Sequence, residues 1–283
     1  MRRPAIGGLV VAVCIGAIAS PRAGGPAQSA PEHAERPHQA LTDAQRLFYN
    51  ARYEAAGTLA LGLRVPDVDD LANDELRSSA LLFQLKALLE PGLDKDTDRA
   101  LKNCATCPDL IAAFLADVRH GQHLARTILQ STAGDESALF FLGKLDLNYV
   151  WLQLGPLHRK TGWDEYWEAR RSLDAALKQN PRHVRARVAR AWIDYIVDTK
   201  MPWGGRWLLG GGNRKQALSD IRDAARWESD FFSHVEAEFA LWDMEVRERH
   251  LASAIDVARR LALDFPENPE LAAFLEAHGE PRN

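Results

Sequence analysis

Two segments concentrate side chains able to recognise a ligand. They are GPLHRKTGWDEYWE (Gly155 to Glu168) and KMPWGGRWLLGGGNRK (Lys200 to Lys215). All eight tryptophans lie between Trp151 and Trp242, and four of them, Trp163, Trp167, Trp203 and Trp207, fall in these segments. Tryptophan and tyrosine combine large rigid surface with a polar handle, the composition of binding hot spots. Arg159, Lys160 and Arg206 could meet a carboxylate or another anion. His158, Asp164, Glu165 and Tyr166 add hydrogen-bonding groups, and the glycines let backbone approach a bound molecule. The opposing reading is burial. Trp163, Tyr166 and Trp167 at i, i+3, i+4 form one helix face, and Arg206 would pair with Asp164 or Glu165 across the two segments.

Other residues invite chemistry and give it less support. GGGNRK (Gly210 to Lys215) precedes a helical stretch as a phosphate-binding loop would. Such a loop needs Lys-Ser or Lys-Thr after its last glycine and a strand before it. Asn213-Arg214 stands there instead, and no strand is evident. Cys104 and Cys107, in NCATCPDL, form a disulfide if the chain is exported to an oxidising compartment. Haem attachment would need histidine where Pro108 stands, and a thiol oxidoreductase would need a strand-helix-strand unit. Zinc could draw on Cys104, Cys107, His120 and His123, but residues 108–120 read as one helix. Its rise separates the two pairs by roughly 18–20 Å, against ligand bonds of about 2.3 Å. Asp194 and Asp198, one helical turn apart, could share a proton or a cation; pairing with Arg187, Arg190 or Lys200 is the plainer reading. No nucleophile-base arrangement stands out. The expectation is no catalytic residue, no metal and no cofactor.

The elements that position these residues are helical. Apolar residues recur at helical spacing from Leu41 onward, as in LFQLKALL (Leu82 to Leu89), LIAAFLADV (Leu110 to Val118) and AIDVARRLAL (Ala254 to Leu263). About eleven helices are expected, and no stretch alternates with period two. Asn213 with Gln216 forms a capping-box start, and Pro108 suits a first helical turn. One arrangement of small and large residues repeats: Ala169, Leu173, Ala176 with Pro181 following; Ala217, Ile221, Ala224 with Ser229; Ala254, Ala258, Leu261 with Pro266. Tyr53, Ala56, Ala60 and Leu63 make a weaker copy. Leu142-Gly143 and Val188-Ala189 fit the large-small pair of a preceding helix. Small residues let two helices approach closely, and the large one fills the groove of the next pair.

This pattern resembles the tetratricopeptide repeat (TPR) family over roughly Ala138 to Leu275, with a fainter trace from Asn50 to Leu63. The resemblance implies an all-α, right-handed solenoid of antiparallel helix pairs; ankyrin-like or HEAT-like stacking is the alternative architecture. The family places its two key small residues about twelve apart. Here Gly143 to Ala169 spans 26 residues and Ala189 to Ala217 spans 28. Two repeats therefore carry long aromatic insertions at the turn between their helices, and these should be neighbours on one edge. Residues 41–134 read as an N-terminal helical region, of which 68–134 fit the repeat poorly and read as a helical cap, ahead of the repeats of 135–279.

The N-terminus bears on compartment. Arg2 and Arg3 precede an apolar run from Ala5 to Ala19, too short for the roughly 20 residues that span a bilayer. Residues 1–19 read as a cleaved secretory signal, the alternative being an inner-membrane anchor formed by residues 5–19. Residues 20–40, rich in Pro, Ala and Gly, read as a disordered linker. The 283-residue chain is 46% hydrophobic and 26% charged with net charge −4, which excludes a wholly disordered chain and gives no basic stripe for nucleic acid. The signal implies a secreted or periplasmic protein, and the resemblance implies a non-enzymatic scaffold that holds a protein or peptide partner in its concave groove, with Leu145, Asn148, Tyr149 and Asp194 as groove candidates. The alternative is a small-molecule binder with an aromatic pocket for an anion, formed by residues 155–168 and 200–215. Burial of Trp203, Arg206 and Trp207 around a closed cavity would favour the second; an exposed rim favours the first.

Overall fold

A computed structural model describes residues 32–64, 70–89, 97–201 and 203–279. The signal at 1–19 and residues 20–31 of the linker lie outside the described residues. Among the described residues the chain is all-α, with thirteen helices: α1 (Glu32–Tyr49), α2 (Tyr53–Gly62), α3 (Leu71–Leu89), α4 (Thr97–Asn103), α5 (Cys107–Ser131), α6 (Glu136–Leu154), α7 (Trp163–Gln179), α8 (Val184–Lys200), α9 (Trp203–Leu208), α10 (Arg214–Ala224), α11 (Phe231–Arg247), α12 (Leu251–Asp264) and α13 (Pro269–His278). None of them is long and apolar enough to cross a membrane.

Helix starts follow local chemistry. The side chains of Asp135, Asn213, Asp230 and Asn268 each accept a hydrogen bond from a first-turn amide, satisfying donors the helix leaves open. Asn213 accepts from Gln216 N, while the Gln216 side chain donates to Asp220 instead of completing the capping box. Pro108 stands in the first turn of α5. Helix α1 begins inside the stretch expected as linker: Glu32 to Ala40 carries Ala, Glu, Arg and Gln, good helix formers, and runs unbroken into Leu41.

The helices pair antiparallel as α1/α2, α3/α5, α6/α7, α8/α10 and α11/α12, and α13 packs on α12. The repeated small residues mark the second helix of every pair except α3/α5. Ala56 and Ala60 on α2, Ala169, Leu173 and Ala176 on α7, Ala217, Ile221 and Ala224 on α10, and Ala254, Ala258 and Leu261 on α12 are all buried. Gly143 on α6 lies so close to α7 that a Cβ there would stand 2.7 Å from Leu173 Cγ. The TPR-like solenoid expected from these residues is the architecture found. The N-terminal helical region is built from two pairs: α1/α2 contains the weaker copy, and α3/α5 occupies the stretch expected as a cap.

The first helices of the pairs face inward. Helices α3 and α6 run parallel, tied by Lys144 to Glu75 (3.6 Å) and by Asn148 donating to Ser78 (2.9 Å) and Ser79 (3.0 Å). The inner surface closes on itself. Lys144 Nζ lies 2.7 Å from Glu236, and Arg185 lies 2.8 Å from Glu75 and 2.5 Å from Glu236. Four successive inner helices, α3, α6, α8 and α11, thus contribute to one ring in which each cation touches both carboxylates. The first pair also meets the last. Tyr49 stacks on Phe239 with ring centroids 5.2 Å apart and packs on Phe265 at 5.6 Å, and Asn268 donates to the Tyr49 carbonyl at 2.8 Å.

Candidate functional site

The two insertions meet at one edge, as their positions in the repeat require. Helix α6 ends at Leu154, residues 155–162 of the first insertion form the turn, and its remainder from Trp163 opens α7. The second insertion folds as the short helix α9 followed by Gly210 to Gly212. Tyr166 on α7 donates its hydroxyl to the Leu209 carbonyl at 2.8 Å. Arg170 donates to the carbonyls of Leu209 (3.1 Å), Gly210 (3.1 Å) and Gly211 (3.3 Å). The first insertion's helix therefore holds the end of α9 by its carbonyls.

The three glycines serve this docking. Gly210 and Gly211 take φ of 76° and 75°, a left-handed conformation that glycine reaches without steric cost. Gly212 makes a close approach. A Cβ there would lie 2.5 Å from the Asp194 carbonyl oxygen and 2.7 Å from Asp198 N. The obstacle is the backbone of α8, so no side-chain rearrangement relieves it.

The candidate residues divide between anchor and rim. Tyr166 is buried and Trp167 half-buried, packed edge-on with ring centroids 5.3 Å apart. Burial also raises the Tyr166 hydroxyl pKa, against the opposing pull of Arg170. Trp163 is 46% exposed, Trp207 82% and Leu208 66%. Trp203 opens α9, but its side chain lies outside the described residues. Arg159 is exposed, with its backbone N–H donating to Gln153. Arg206 does not pair with Asp164 or Glu165. Its Nη1 meets Asp198 at 2.6 Å and its Nε donates to the Met201 carbonyl at 3.1 Å, because α9 folds back onto the end of α8.

Beneath α9 lies an open cavity of about 480 Å³ lined by Asp198, Thr199, Arg206, Asn213, Arg214 and Lys215. Sequence reasoning does not single out Arg214 and Lys215 as binding residues. Their signal is the position at the very end of the second insertion, which puts them on the cavity wall. Arg170 escapes it as well, since its role is to bond backbone carbonyls that carry no side-chain signature.

Other expectations resolve into packing. Asp194 meets Arg190 at 2.7 Å and Arg170 at 3.5 Å, so Asp194 and Asp198 hold arginines and do not converge on each other. Leu145 and Asn148 are buried against the neighbouring inner helix and do not line an open groove. The Cys104 and Cys107 sulfurs stand 2.06 Å apart. Helix α5 runs unbroken from Cys107 to Ser131, and His120 turns instead to Asp74 at 2.7 Å. Among the described residues no group of three or more His, Cys, Asp or Glu side chains could hold a metal ion.

No family model matches the chain, and no curated protein matches it. Among solved structures it is similar to a thermophilic TPR protein of Thermus thermophilus. The sequence identity is 16%, over 85% of this chain and 98% of that one, with a TM-score of 0.46.

Proposed function

We propose that the chain is a non-enzymatic, exported helical-repeat scaffold, and that its protein or peptide partner docks on the aromatic edge formed by α7 and α9. The observation that carries this reading is the exposure of Trp207 and Leu208, side by side on a helix whose end is fixed from below. Exposing large apolar side chains on an ordered rim is costly in water and marks a contact surface more often than a core. Two facts set the edge above the concave face. The inner helices spend their polar side chains on one another, and α1 covers the aromatic cluster of α11. The cavity beneath α9 opens to solvent and leaves Trp207 outside it, which favours a partner over an enclosed small molecule. A bonded Cys104–Cys107 pair fits export to an oxidising compartment.

The test is a photo-crosslinking amino acid placed at Trp207 in the full chain, expressed in its native host. Leu263, 83% exposed on α12, serves as the control position. The expected result is a discrete protein adduct from position 207 and none from 263. Adducts from both positions alike, or none from 207, would overturn the docking edge.

A further inference from the structure

We infer that the edge takes an acidic peptide segment, whose carboxylates enter the cavity beneath α9 while a neighbouring apolar side chain lies on Trp207 and Leu208. This rests on the reading of that edge as the docking surface and adds the chemistry of what docks. The argument begins with the cavity's charge. Three cations, Arg206, Arg214 and Lys215, line it against one carboxylate, Asp198. That carboxylate is already engaged on both oxygens. Oδ1 meets Arg206 Nη1 at 2.6 Å and Oδ2 accepts from Arg214 N at 3.0 Å. Arg214 Nε reaches Glu248 only at 3.5 Å, and Glu248 also accepts from the Tyr195 hydroxyl. Lys215 makes no ion pair among the described residues. The wall is therefore left with positive charge, on a chain whose net charge is −4.

Geometry then selects a peptide over a free anion. Arg206, Trp207 and Leu208 are consecutive on α9. The first lines the cavity, and the next two project into solvent beside it. A small anion confined to the cavity would leave both apolar side chains uncovered. A segment with carboxylates next to a bulky apolar residue covers them and meets the cations together. Charges on such a rim steer encounter and set partner choice.

The experiment is fluorescence anisotropy with the full chain and three probes: a labelled decapeptide carrying four glutamates around a central Leu-Phe, the same peptide with every glutamate changed to glutamine, and unlabelled citrate as competitor. The acidic peptide should bind at least about tenfold more tightly than its glutamine counterpart, with a difference that shrinks as salt rises. Lys215→Glu and Arg214→Glu should each weaken it by about fivefold or more, and Trp207→Ala should weaken both peptides. Far-UV circular dichroism and Tm of each variant report whether it folds, and Lys215→Gln supplies a milder change at the same site. Equal affinity for the two peptides, insensitivity to charge reversal in folded variants, or displacement by citrate at peptide-like concentrations would each overturn the inference. A crosslinked partner at position 207 alongside any of those results would leave the scaffold reading standing and remove only the acidic segment. Absence of both removes the edge itself.

Discussion

At the scale of single residues, one strongly perturbed side chain lies away from the edge. Asp146 on α6 is fully buried. Gln122 donates to its Oδ1 at 2.6 Å, and Oδ2 has no hydrogen-bond partner. Burial first, and then the Glu168 charge, raise its pKa from 3.8 to about 9, outweighing the Gln122 hydrogen bond and Arg126. Between those values the folded chain binds a proton that the unfolded chain has released, so stability falls as pH rises from about 4 towards 9. Asp146→Asn keeps the shape and removes the ionisation. It should stabilise the fold by roughly 1–3 kcal/mol at pH 8 and flatten that decline. Urea unfolding of both proteins from pH 5 to 9 checks this, and a variant less stable than the parent at pH 8 would contradict it. Nothing in the sequence marks Asp146, because its surroundings come from α5 and α7. The face formed by Trp163, Tyr166 and Trp167 was legible from spacing alone. Which of the three is buried was not, since α9, remote in sequence, decides it.

At the scale of elements, the outer helices were legible and one inner helix was not. Alternating small and large residues on α2, α7, α10 and α12 reported close packing directly, because a small side chain at a helix crossing has few other uses. Helix α3 defeats that logic. Asn73, Asp74, Glu75, Arg77, Ser78 and Ser79 are all buried, a run that reads as a solvated face. Arg64 bonds Asp74 and Asp117, Arg77 bonds Asp117, and Lys144 and Arg185 take Glu75. Buried polar groups are tolerated when partnered; apart from Asn73 Oδ1 and Arg77 Nε, which have no hydrogen bond, the partners here stand up to 110 residues away. The clasp on α9 is another device of this scale. Arg170→Ala would free the carbonyls of Gly210 and Gly211 and leave that of Leu209 to Tyr166 alone, without touching Trp207. With a net value of about 1 kcal/mol per hydrogen bond, more when the donor is charged, amide exchange in 205–211 should accelerate by roughly 30-fold or more, while α6 and α8 keep their protection. Unchanged exchange would mean that the Tyr166 hydrogen bond and Leu209 burial hold the edge without Arg170.

At the scale of the whole molecule, closure of the inner surface makes the solenoid a single cooperative object instead of a string of neighbour contacts. Repeat arrays usually couple each unit only to the next. Here the ring of Glu75, Lys144, Arg185 and Glu236 skips neighbours, and α1 reaches α11. Burial disfavours the Glu236 charge, but Arg185 and Lys144 outweigh it and hold its pKa at about 2, below the ordinary 4.5. A depressed carboxylate pKa contributes stability that is present above about 4.5 and is lost as pH falls through 2. The ring should therefore be a source of acid sensitivity. Arg185→Met tests it at neutral pH, since it leaves two carboxylates facing Lys144 alone. Breaking a buried pair by removing one partner costs about 3–5 kcal/mol. Two further outcomes separate a closed ring from local salt bridges. Loss of closure should raise the radius of gyration in small-angle scattering, and it should split one unfolding transition into two as the N-terminal pairs uncouple from α11. A variant that is merely less stable, with unchanged size and one sharp transition, would show that Tyr49 on Phe239 and Phe265 closes the molecule and that the charges only fill its centre.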